Sequence, residues 1–251
     1  GANGRDVSAR SLLLRVRAAS GQPLPVAEAR ALGARHPGNL DAQVAAAEIL
    51  VEARSADEAA QVLDAAIQRD GGRTELHYLR GRARRMQGQI EGAWGAIESF
   101  REASRLNPDF FEADLAIAEL FFDKGEFEDA ASAYGRIAQT TRGANFGRLG
   151  RAEALWALGR LDEAEALVAA MPSTQARDLP RGRLLRGRIL LSRGQARRAV
   201  EELRPLAEAT DRTAEAVTVW AAAQRRSGDV RGAEASVEAA LRLDGGYPEA
   251  L

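Results

Sequence analysis

Cysteine is absent from the 251-residue chain, so neither a disulfide nor a thiolate metal site can form. Lysine occurs once, histidine twice, and aromatic residues make up only 5% of the sequence. A phosphate-binding loop needs Gly-Lys followed by Ser or Thr, and the single lysine lies in Asp123-Lys124-Gly125. No Gly-x-Ser-x-Gly nucleophile elbow is present. His36 and His77 lack the paired spacing of a zinc-binding helix. They read as a loop residue before Pro37 and a helix-face residue. Carboxylate pairs such as Glu163/Glu165 and Glu201/Glu202 read as solvated helix faces. The sequence therefore predicts no enzyme activity, no cofactor and no metal.

Uninterrupted apolar runs are also short. None approaches the roughly 18 residues needed to cross a bilayer, and no charged-then-apolar leader opens the chain. The expected compartment is the cytoplasm, with a periplasmic fragment of an anchored protein as the alternative. Net charge is −1, which argues against a general nucleic-acid or membrane-surface binder. Arginine carries nearly all the positive charge, which fits a GC-rich bacterial coding bias. With 45% hydrophobic residues, few of them aromatic, the composition is that of an all-helical protein.

What the chain does have is a period. Gly125, Gly159, Gly194 and Gly228 lie 34, 35 and 34 residues apart, each followed five residues later by alanine: Ala130, Ala164, Ala199 and Ala233. A repeat of this length marks stacked helix pairs, in which no unit can bury its apolar face alone. Phasing the whole chain on those glycines gives seven units, 6–39, 40–73, 74–110, 111–144, 145–179, 180–213 and 214–247. Seven residues before each turn stands a small residue: Ala47, Gly81, Ala118, Ala152, Gly187 and Ala221. This demands close approach of two antiparallel helices. Larger apolar residues follow nine after the turn, as at Tyr134, Val168 and Leu203, and keep one helix face apolar. The spacing predicts helix pairs over 111–123 with 127–139, 145–157 with 161–170, and 180–192 with 196–208. Pro37, Pro108, Gly71-Gly72 and Gly245-Gly246 mark breaks. Residues 1–5 read as a flexible lead-in or expression remnant, and 248–251 as the opening of an eighth unit in a longer protein.

The run Pro108 to Ala138 resembles a tetratricopeptide repeat, with Ala118, Phe121, Gly125, Ala130 and Tyr134 at that family's signature places. Leu155 to Ala164 repeats the pattern. The resemblance implies an all-α, right-handed superhelical solenoid that serves as a protein-binding scaffold. Departures from the pattern are local. The first unit has Leu13 in place of a small residue and Pro25 in place of the alanine, so it reads as a degenerate cap. Arg54 replaces the turn glycine of the second. About three extra residues lie within 89–95 of the third. Arg80, Arg151 and Arg186 stand where the family usually has leucine, and are expected to lay their stems on the interface with their guanidinium groups in water.

In this family the first helix of each unit lines a concave groove, facing it with residues three, six, ten and thirteen before the turn. Those offsets give Tyr78, Arg82 and Arg85, then Glu112, Leu115, Glu119 and Phe122, then Phe146, Leu149, Glu153 and Trp156, and finally Arg181, Leu184, Arg188 and Leu191. Phe122, Phe146 and Trp156 would make the middle apolar and aromatic, with arginines on both sides. Such a groove suits an amphipathic or apolar segment of a partner protein, with acidic flanks. Leu115, Leu149, Leu184, Phe122 and Trp156 also fit a reading as core between packed helices. The lysines and asparagines of a chaperone-tail clamp are absent from these places. Between Arg177 and Arg198 eight arginines stand against Asp178 alone, and Arg181, Arg188 and Arg193 read either as a basic stripe or as a face paired with neighbouring acids. The alternative to a docking scaffold is a structural or regulatory array that contacts its own domains or self-associates. By analogy of fold, assembly of a bacterial envelope machine, polarity or signalling complex is the expected setting.

Overall fold

A computed structural model of the protein describes residues 2–20, 23–93, 95–171 and 180–243. The Gly245-Gly246 break, the 248–251 stretch, and Arg177 and Asp178 lie outside them. Among the described residues there are fourteen α-helices and no strand. They are α1 (Ala2–Ala19), α2 (Val26–Arg35), α3 (Leu40–Glu52), α4 (Ala56–Arg69), α5 (Thr74–Met86), α6 (Ala96–Leu106) and α7 (Phe111–Asp123). The chain continues with α8 (Phe127–Ile137), α9 (Ala144–Ala157), α10 (Leu161–Ala169), α11 (Pro180–Ser192), α12 (Ala196–Ala207), α13 (Ala214–Ser227) and α14 (Val230–Leu243). Because α1 begins at Ala2, the residues read from sequence as a lead-in are mostly helical.

One turn is built repeatedly from the same hydrogen bonds. Gly125 N–H donates to Phe122 and Glu126 N–H to Phe121; Gly159 to Trp156 and Arg160 to Leu155; Gly194 to Leu191 and Gln195 to Leu190. This closure satisfies the last helical carbonyls and requires a left-handed residue at its corner. The glycines supply it, with φ of +78°, +76° and +71°. Arg54 is forced into the same place at φ +57°, the one non-glycine with positive φ among the described residues. A side chain there costs about 1 kcal/mol. Arg54→Gly is therefore expected to raise stability by several tenths of a kcal/mol, the gain being partly offset by glycine's greater freedom in the unfolded chain. Chemical denaturation of the two proteins side by side would show it.

The third repeat carries its insertion in the connection from 87 to 95. Relative to its buried alanine, α6 starts three residues later than α8 or α10, so the helix has lost its first turn. The loop replaces it: the carbonyls of Gln89 and Ile90 accept from the amides of Ala96 and Ile97, at 2.8 and 3.1 Å. Gly95 is essential to that path, since a Cβ there would lie 2.4 Å from the Glu91 carbonyl oxygen.

The chain divides into two compact units, Gly1–Leu120 and Phe121–Leu251. In the first, α1 packs on α3 and α3 on α5, while α2 and α4 pack against the helices adjacent in sequence and α6 against α5. In the second, α9 packs on α11 and α11 on α13, with α8, α10, α12 and α14 on the other side of the pairing. Each unit thus has a layer of first helices and a layer of second helices. The alanines five after the turn are fully buried at Ala59, Ala130, Ala164 and Ala199. The small residues seven before the turn are tested directly by geometry. A Cβ on Gly81 would stand 2.5 Å from the Phe100 ring, and one on Gly187 2.4 Å from Leu203. Phe100 and Leu203 fill that space and are themselves fully buried, each worth about 2–3 kcal/mol of apolar burial.

Candidate functional site

The face of the first helices in the second unit is organised by pairs reaching from one repeat to the next. Glu153 on α9 accepts both a 2.7 Å hydrogen bond from Arg181 Nε and a second from its Nη2. Arg188 on α11 donates to Glu215 on α13. Glu153 and Arg188 stand six residues before their turns, and Arg181 and Glu215 thirteen before theirs, so one register pairs successive helices with the charges reversed. Trp156 lies between them. Its Nε1–H donates to Ser192 Oγ at 3.0 Å, and the Arg188 guanidinium sits 5.3 Å from the ring centroid. Its ring also packs against the buried cluster that includes Leu149, Leu155, Val168 and Ile189. Phe146, three turns earlier on α9, is 52% exposed.

The other sequence-predicted residues divide into three sets. Leu149, Leu184 and Leu191 are 6%, 9% and 8% exposed and belong to the core, not to an accessible face. The reason is helix–helix packing: these side chains lie where the first helices of successive repeats touch. Phe122 stacks edge-on against Phe127 of α8, with centroids 5.2 Å apart. In the first unit, Tyr78 is wedged against Phe100 and Phe110, at 5.6 and 5.0 Å. Arg82 there donates to Glu52 at 2.7 Å, and Arg85 to Glu119 at 3.2 Å. Leu115 and Glu112 are partly exposed on α7. Ser192 and Glu215 were missed from sequence. Glu215 follows from extending the same offsets to the last repeat; Ser192 carries no signal of its own.

Of the two readings of the arginine run the structure shows the face paired with neighbouring acids, and one other expectation about arginine needs correction. The basic stripe is neutralised, because Arg181 holds Glu153, Arg186 holds Glu202, Arg188 holds Glu215, and Arg193 holds both Asp162 and Glu165. Acids on the neighbouring helices, distant in sequence, supply the balance. Surface pairs of this kind contribute about 0–1 kcal/mol each, so their main effect is to fix register. Arg80 does not place its head in water. It is 6% exposed, its Nε donates to Ser99 Oγ at 3.0 Å, and Asp64 lies 4.0 Å from its Nη1. Burial holds its guanidinium below its ordinary pKa, with the Asp64 charge opposing that shift. Arg186 is half-buried on Glu202, and only Arg151 is exposed.

This arrangement offers apolar and aromatic contact area framed by paired charges. The sequence profile of the tetratricopeptide repeat matches residues 78–145. Residues 78–145 carry tetratricopeptide repeats, and the chain as a whole has an all-α helical-repeat fold. Solved structures extend the likeness across all its repeats. A tetratricopeptide repeat protein from Parabacteroides merdae is 16% identical, with a TM-score of 0.72 over 99% of this chain and 95% of that one. PilW, described as a widely conserved type IV pilus biogenesis factor, is 17% identical, with a TM-score of 0.66 over 82% and 94% of the two chains. The hetero-tetramer Cut9-Hcn1 of the APC/C is 18% identical, with a TM-score of 0.61 over 88% and 43%. At these identities the likeness is one of fold. A comparison with curated protein sequences finds no match. Tetratricopeptide repeats form an all-α solenoid that is in general a non-enzymatic protein-interaction scaffold. Among the described residues no helix of these repeats is long and apolar enough to cross a membrane.

Proposed function

We propose that this protein docks a segment of another protein on the first-helix face of α9 and α11. The observation that carries the reading is Phe146, a large aromatic ring half in solvent on the same helix as Trp156, whose indole is only partly covered. Aromatic rings at a surface supply large contact area with little side-chain entropy to lose, and arginine over an aromatic ring is a common anchor of interfaces. The occupant is an apolar or amphipathic segment. Acidic flanks are not part of the proposal on this face, because Arg181 and Arg188 already hold Glu153 and Glu215. Assembly of a multiprotein machine, of the envelope or of a polarity or signalling complex, is the setting that fits such a scaffold. The test is capture from a lysate of the source organism on immobilised wild-type protein and Phe146→Ala side by side, read by mass spectrometry. Proteins retained by the wild type should be lost from the variant, with melting unchanged. An identical set on both would overturn the reading.

A second reading, self-association, has its own observation. Val230, Val237, Leu241 and Leu243 on α14 are exposed, as are Leu12, Leu13 and Val16 on α1. Large aliphatic side chains grouped on terminal helices fit a face covered by another copy or another domain. Light scattering on the purified chain decides it: a concentration-dependent dimer supports this reading, and a monomer removes it.

A further inference from the structure

We propose that the cleft between α8, α9 and α10 binds a carboxylate side chain of an acidic polypeptide segment, with Arg151 and Arg136 as its guanidinium partners. Its wall comes mainly from α8, with Arg151 and Leu155 from α9, and includes neither Phe146 nor Trp156, so it is separate from the face they form. The cleft has a volume of about 400 Å³ and is lined by Arg136, Arg151, Arg160, Ser132, Gln139 and Glu128.

The argument comes from comparing the repeats with one another. Arg80, Arg151 and Arg186 occupy one place, eight residues before their turns. Two of the three meet a carboxylate of their own chain. Arg80 faces Asp64, five residues after the buried Ala59, and donates to Ser99, three after Ala96. Arg186 donates through Nε, at 3.1 Å, and through Nη2 to Glu202, three after Ala199. The corresponding neighbours of Arg151 are Gly135, five after Ala130, and Leu167, three after Ala164. Neither has a side chain that can accept a hydrogen bond. The equivalent cleft one repeat later is also about 400 Å³, and it has Glu165 and Glu202 in its wall. Around Arg151, arginines outnumber carboxylates. Arg160 is held by Glu163 at 2.6 Å, and Arg151 reaches Glu163 only through its longer-range field. Glu128 acts in the same way on Arg160. Arg136 and Arg151 are both exposed.

Gly135 leaves room for the missing group. A Cβ built there would lie 3.7 Å from Arg151 Cδ and 3.8 Å from its Nε and Nη1, which is ordinary contact. A carboxylate entering over Gly135 therefore meets the Arg151 fork, with the Ser132 hydroxyl and the Gln139 amide as further donors. The class of ligand is read from the sibling repeats, where the acceptor facing this arginine is a carboxylate.

The test is calorimetric titration of the purified protein with an N-acetylated hexaglutamate peptide at low salt, where such pairs are little screened. The wild type is expected to bind. Arg151→Glu and Arg136→Glu should each weaken binding by about tenfold or more. Gly135→Asp should do the same while leaving melting unchanged or raised, because it gives Arg151 the partner that Asp64 gives Arg80. Gly135→Asp also keeps the test decisive if an arginine variant folds poorly. Arg197→Glu, on α12 and outside the cleft, should bind like the wild type. No binding by the wild type overturns the proposal, as does unchanged binding by Gly135→Asp. An equal loss in Arg197→Glu would show diffuse charge attraction and overturn it too. Inorganic phosphate binding as tightly as the peptide would reject the carboxylate assignment.

Discussion

Gly147→Ala is expected to destabilise the protein by about 3 kcal/mol, at the upper end for overpacking a core. Most added methyl groups are tolerated because a neighbouring side chain turns aside. At Gly147 the neighbours are backbone: a Cβ would lie 2.2 Å from Ala138 N, 2.6 Å from Tyr134 O and 2.7 Å from Ala138 Cα. Those atoms form the last turn of α8, and the Ala138 amide is already committed to the Tyr134 carbonyl at 2.9 Å. Relief requires α9 to move off α8, which would also open the contact of Gly150 with the Tyr134 ring, where a Cβ would stand 2.4 Å away. In a chain of this size the change corresponds to a fall in melting temperature of about 6–12 °C, read by circular dichroism. Arrays of repeats need not melt as one unit, so the loss should appear first in the part of the transition that belongs to the second compact unit. An unchanged melt would mean that α8 and α9 do not approach as closely as described. Gly81→Ala is the useful comparison, since the atoms it meets belong to the Phe100 ring, which can shift.

The contrast between these glycines shows what the sequence could and could not say. The small residues seven before each turn recur in six repeats, so superposing the repeats exposes them. Gly147, twelve before its turn, has a glycine at the same offset in Gly182 and an alanine in Ala42, Ala113 and Ala216, a recurrence that phasing on the turn did not single out, and its backbone contact at 2.2 Å is the tightest of these. Gly150 has no glycine at its offset in the other repeats. The helix pairs were legible for the same reason as Gly81: a left-handed turn, a buried alanine and an apolar face recur at fixed offsets. The candidate site was less legible. Offsets place Phe146, Leu149 and Trp156 on one helix face, but how far each is covered depends on the neighbouring repeat. Leu149 is sealed between α9 and its neighbours, while Phe146 stays in solvent. The same limit left the arginine run open between two readings. Arg181 and Glu153 are 28 residues apart, so a count of local charge sees a basic run where packing makes a ladder of pairs.

Trp156→Ala carries the other large effect, and it should appear in two measurements rather than one. Read from sequence alone, the indole is a groove residue whose loss would spare the fold. In the structure it packs on the cluster of Leu149, Leu155 and Val168, donates to Ser192 and lies under Arg188. Removing a fully buried tryptophan costs about 3–5 kcal/mol, and a half-covered one roughly half of that, so about 2 kcal/mol of stability should be lost. On the proposed docking face the same truncation should weaken partner binding by about 2 kcal/mol, or about thirtyfold. Two further variants separate the effects. Trp156→Phe keeps most of the packing and loses the Ser192 bond, so it should cost only about 1 kcal/mol of stability. Phe146→Ala should weaken binding and leave the melt alone. If Trp156→Ala lowers the melting temperature while Phe146→Ala leaves a purified partner bound as tightly as before, Trp156 is only a packing residue and the docking face lies elsewhere. If both variants weaken that partner and only Trp156→Ala melts early, the indole serves the fold through its buried edge and the partner through its open one.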